Sequence, residues 1–164
     1  MRTHAPSRTN PLTIAAALLP HLRAGVKDEL STALELLLLQ IHSGPAPKRW
    51  HSTLKRFYEG CALLEELGFT DDPLQHDLEL DPRHARLILR SLEAEHQAGL
   101  HRMHDAKAAG FDPTEIGKDI PALGETVSEI QKRTGLKPRR KTQKSYLQAQ
   151  LDTRRKGRRR GDAK

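Results

Sequence analysis

Val26-Lys27-Asp28-Glu29-Leu30-Ser31-Thr32-Ala33-Leu34-Glu35-Leu36-Leu37-Leu38-Leu39-Gln40-Ile41 decides the fold class. Leu30, Ala33, Leu34, Leu37, Leu38 and Ile41 recur at three- and four-residue steps, the spacing of one face of an α-helix. Leu36 and Leu39 widen that stripe, so this helix reads as the centre of the core. Ser43-Gly44-Pro45-Ala46-Pro47 then breaks the chain.

Working outward, an earlier helix is expected from Pro11 to about Arg23, capped by Asn10 and ended by Gly25. A third is expected from about Lys48 to Leu67, with Trp50, Leu54, Phe57, Cys61 and Leu64 on its stripe and Gly68 as its stop. Asp77-Leu78-Glu79-Leu80 alternates polar and apolar residues, the pattern of a short edge strand or hairpin. Asp81-Pro82 opens a long fourth helix that carries Ala85, Ile88, Leu89, Leu92, His96, Leu100 and Met103 before Gly110.

Asp112-Pro113-Thr114-Glu115 is a further capped start. Ile116, Ile120, Leu123, Val127 and Ile130 follow in a heptad-like seam that Gly117, Pro121 and Gly124 interrupt. Two short helices are expected there, the second opening at Thr126. The seam either closes the core or offers a surface to a second copy of the chain. The fold class is thus mostly α: one helical domain of five to six helices over residues 10–134, after a flexible segment 1–9. A basic tail, 135–164, is disordered or folds on a partner.

Charge is split unevenly. Residues 135–164 hold twelve Lys/Arg against two acids, whereas 1–134 hold sixteen against nineteen. The net +7 is therefore a mildly acidic body with a cationic extension that attracts polyanions. The cations Lys137, Arg139, Arg140, Lys141, Lys144, Arg154, Arg155, Lys156, Arg158, Arg159 and Arg160 suit nucleic acid, ribosomal RNA or an import receptor. Arginine-rich runs grip phosphates without reading bases. Tyr146, Leu147 and Leu151 supply enough apolar surface between the runs for a helix formed on a partner.

Catalytic signatures are missing. There is no Gly-x-Ser-x-Gly elbow and no glycine-rich phosphate loop after a strand, and the single Cys61 sits in an apolar helical stripe. Glu93-x-x-His96 occurs once, where carboxylate-bridged di-metal bundles need it twice. His96 and His101 lie about 140° apart around their helix, too far to share a metal. No enzyme activity, metal or cofactor is expected. No apolar run approaches a membrane span. Residues 1–27 contain four cations and no acid, a composition that fits an organelle transit peptide, with Pro20 counting against it. The remaining features favour an intracellular setting, in nucleus, nucleoid or cytoplasm.

Residues 30–97 resemble the PUB (PUG) domain of peptide N-glycanase and related ubiquitin-pathway adaptors. The likeness rests on Ala33-Leu34-Glu35-Leu36-Leu37-Leu38-Leu39, on Lys48-Arg49-Trp50 after a proline-containing break, and on Gly60-Cys61-Ala62-Leu63-Leu64-Glu65-Glu66-Leu67-Gly68-Phe69. The segment between the last two is shorter than in the family and holds no asparagine. The resemblance implies a non-enzymatic adaptor that docks a short peptide tail, in the family that of the valosin-containing AAA+ ATPase. By position it points to Lys48, Arg49 and Trp50, with Lys55, Arg56 and Phe57 in the region that completes the groove. The alternative is a nucleic-acid-binding or ribosome-associated accessory protein whose helical body binds protein partners.

Overall fold

Leu12-Thr13-Ile14 forms a strand, not the opening of a helix. Leu12 and Ile14 turn inward and Thr13 outward, the two-residue alternation of a half-buried strand. The partner is Leu78–Leu80, antiparallel, with Leu12 opposite Leu80 and Ile14 opposite Leu78. We call these β1 and β2. The expectation of a helix from Pro11 fails because its apolar residues satisfy a partner strand more than sixty residues away. The computed structural model describes residues 10–43, 47–68 and 76–137.

After a 3-10 turn at Ala16–Leu18, helix α1 runs unbroken over Leu19–His42. Pro20 lies in its first turn, where a missing N–H costs nothing. Gly25, expected to end a helix, sits inside this one. A methyl group there would lie 2.7 Å from the carbonyl oxygen of Ser91, so the glycine allows α1 and the later helix α3 to approach closely. Leu12, Ile14, Leu18, Leu19, Leu22 and Val26 all enter the core, so the stretch that reads like a leader supplies much of the interior. Each such side chain, fully buried, contributes roughly 1.5–3 kcal/mol.

Helix α2 spans Pro47–Leu67 and α3 spans Ala85–Ala108. The two remaining helices are a single turn, α4 (Thr114–Gly117), and α5 (Ile120–Thr134). Asp112 accepts hydrogen bonds from the Thr114 N–H (3.0 Å) and hydroxyl (2.6 Å), fixing the turn that leads into α4. The last helix begins at Ile120, earlier than expected, because Pro121 is tolerated in its first turn and Gly124 within it. α1 packs on α2 and α3, and α5 packs on α3, giving the order α2, α1, α3, α5.

Along the seam, Ile120, Leu123 and Ile130 are buried and Val127 packs on the core, leaving only Ile116 exposed. The seam therefore closes this chain's own interior. Among the described residues no helix is long and apolar enough to cross a membrane.

The core sits toward the sheet, where Leu63, Leu64 and Leu67 of α2 share one hydrophobic cluster with residues of β1, β2 and α3. The opposite half of the α1–α2 hairpin extends beyond it. There the stripe expected at the centre divides: Leu34, Leu38 and Ile41 are 48, 50 and 53% accessible, whereas Ala33 and Leu36 are buried and Leu30 packs against the core.

Candidate nucleic-acid interface

α2 and α3 flank α1, and a groove of about 870 Å³ runs between them. Its cations are Lys55 and Arg56 from α2, Arg83 from the 3-10 turn before α3, Arg86 and Arg90 from α3, and Arg133 from α5. Arg83, Arg86 and Arg90 are spaced i, i+3, i+7 and so share one side of their segment. On α2, Ser52, Lys55, Arg56 and Glu59 repeat that spacing and face them. Leu12, Pro82, Ala85 and Leu136 complete the wall. An adjoining hollow of about 470 Å³ shares Arg56, Arg86, Arg90 and Leu136, and adds Glu93 and Lys137.

Most of these charges are held in place. Arg56 Nη2 donates to Glu29 Oε2 at 2.8 Å, and Arg90 Nη1 donates to the same oxygen at 3.2 Å. Glu29 rises from α1 beneath the groove, its side chain 13% exposed. Arg83 Nε donates to Asp81 at 2.7 Å, which holds that carboxyl below the usual carboxylate range and pushes the guanidinium up. Lys55 lies 3.9 Å from Glu59, and Arg133 donates to the Pro11 carbonyl at 3.0 Å. Arg86, exposed at the groove, makes no hydrogen bond or ion pair among the described residues. Six cations against Glu29, Asp81 and Glu59 leave a balance of +3 on an overall acidic body.

The groove divides the residues that the resemblance groups together. Lys55 and Arg56 line it. Trp50 and Phe57 do not: Trp50 is half-buried, its Nε1 enclosed with no hydrogen-bond partner among the described residues, and Phe57 stacks edge-on against Tyr58 at 6.3 Å between ring centres. At about 100° per residue, Leu54, Phe57 and Tyr58 fall on the side of α2 away from Arg56. The side chains of Lys48 and Arg49 lie outside the described residues. Lys137 lines the adjoining hollow, while Arg139, Arg140, Lys141, Lys144, Arg154, Arg155, Lys156, Arg158, Arg159 and Arg160 lie outside the described residues.

Arg83, Arg86, Arg90, Arg133 and Glu29 are site residues that sequence reading missed. The i, i+3, i+7 arginines were a legible signal, overshadowed by the denser tail. Cys61 is half-buried. His21 is bonded to Asp119 at 3.0 Å with Glu95 3.8 Å away, and no group of three or more His, Cys, Asp or Glu among the described residues is placed to hold a metal. Comparison with protein-family models, curated proteins and solved structures finds no match to this chain.

Proposed function

We propose that this chain binds the phosphate backbone of nucleic acid, through the groove between α2 and α3 together with the basic segment that follows Lys137. The carrying observation is continuity. Leu136 and Lys137, the last described residues, line the hollow beside Arg86 and Arg90. From there run residues 138–164, with eleven Lys/Arg against two acids. The cationic groove thus adjoins the point from which the sequence runs on into a segment rich in Lys and Arg. Arginine is its main residue, and guanidinium forks match phosphate oxygens. No aromatic side chain lines the groove among the described residues, which suits contact with the backbone at this face, independent of sequence.

The test is fluorescence anisotropy of a labelled 20-base-pair duplex and its single strand with the full chain, over a salt series. Affinity falls steeply with salt, and Arg86→Ala lowers the slope of log K against log salt by about 1. Binding that ignores salt, or an Arg86→Ala protein identical to wild type, refutes the reading.

A second reading keeps the adaptor function. The apolar wall of Leu12, Pro82, Ala85 and Leu136 beside six cations also suits a short acidic or carboxylate-ended peptide. Binding of an acidic C-terminal peptide that outlasts high salt while the duplex is released favours it.

A further inference from the structure

We infer that Glu29 is a positioning residue for this groove: its carboxylate sets Arg56 and Arg90 as a preorganised clamp for one phosphodiester. The inference rests on the nucleic-acid reading above. Two long side chains from different helices converge on one oxygen, at 2.8 and 3.2 Å, which holds the two guanidinium nitrogens within about 6 Å of each other. A guanidinium carries five N–H donors, so one contact to Glu29 leaves others for a ligand, and both arginines line the groove. Both cations are half-buried and Glu29 is nearly enclosed, so the arrangement is packed as well as charged. Without the carboxylate, each arginine would sample several rotamers and lose that freedom only on binding.

Charge and geometry make opposite demands on this residue. Glu29→Gln removes a negative charge from the groove, and electrostatics alone then tightens polyanion binding and steepens its salt dependence. The positioning role makes the opposite forecast. Glu29→Gln binds the 20-base-pair duplex about five- to tenfold more weakly than wild type. Its salt slope is also shallower by about 1, because phosphate contacts are lost while net charge rises. Glu29→Asp keeps the charge but withdraws the carboxylate by one methylene, and it too binds more weakly, by severalfold.

The full chain carries each variant, and circular dichroism confirms folding. A fall in active protein alone would leave the slope unchanged, so the slope separates positioning from mere loss of structure. If Glu29→Gln does not fold, Glu29→Asp alone decides. Binding by either variant as tight as wild type or tighter overturns the inference, while an effect of Arg86→Ala in the same assay leaves the nucleic-acid reading standing. A polyglutamate 20-mer that displaces the duplex at equal charge concentration overturns the phosphate preference.

Discussion

The Arg23 guanidinium, on a residue only 2% exposed, donates from Nε and Nη2 to the carbonyl oxygen of Leu67, at 2.9 and 2.6 Å. It therefore closes the C-terminus of α2 from α1, where unpaired carbonyls and the helix dipole favour a cation. Arg23→Met keeps the unbranched stem of the side chain and removes the donors. It lowers unfolding free energy by about 2 kcal/mol in urea titration. A variant as stable as wild type would show that the contact contributes nothing net.

Gly25 and Ser91 meet at the closest approach of α1 and α3, and they respond in opposite directions. Ser91 is fully buried, and its hydroxyl has no hydrogen-bond partner among the described residues. Ser91→Ala removes that unsatisfied group and raises stability by about 1 kcal/mol. Gly25→Ala places a methyl against backbone that cannot swing aside and lowers stability by about 1–3 kcal/mol. Thermal unfolding of the two variants gives shifts of opposite sign.

These contacts show where sequence reasoning reaches its limit. α2, the long α3 helix and the strand at Leu78–Leu80 were legible because their periodicity and stop signals are local. Gly25 was read as a helix end because glycine also serves there; its real neighbour is Ser91, far along the chain. Leu12–Ile14 looked helical for the same reason, since only Leu78–Leu80 makes it a strand. The groove was half legible: Lys55 and Arg56 stood out, but Glu29 and Arg90 are 61 residues apart and meet only in the fold.

The leucine-rich stripe of α1 separates by depth. Leu36 is 6% exposed and Leu38 is 50% exposed. Leu36→Ala therefore costs about 2–5 kcal/mol, by lost burial and the cavity it leaves. Leu38→Ala costs less than about 1 kcal/mol. Equal losses in chemical denaturation would mean that the outer face of the hairpin is covered.

Asp112 links stability to acid. Its hydrogen bonds from the Thr114 hydroxyl and N–H favour the ionised carboxyl, which holds its pKa below the usual value. A depressed folded-state pKa contributes stability above the unfolded value of about 3.9 and loses it as pH falls through the lower folded value. Asp112→Ala is therefore less stable than wild type at pH 6, and the gap closes below about pH 3.9. A gap of constant size between pH 6 and pH 2.5, read by urea midpoints, would remove the carboxylate from the account.

The central claim is that the groove itself meets phosphate. Arginine-selective modification with a dicarbonyl reagent, read residue by residue by mass spectrometry, tests it on the full chain with and without a saturating 20-base-pair duplex. Arg102 lies on α3, away from the groove, with its side chain 56% exposed, and serves as the internal reference. With phosphate seated in the groove, duplex strongly protects Arg86 and leaves the rate at Arg102 unchanged. Equal modification of Arg86 in the presence and absence of duplex, while the duplex is bound, would contradict it.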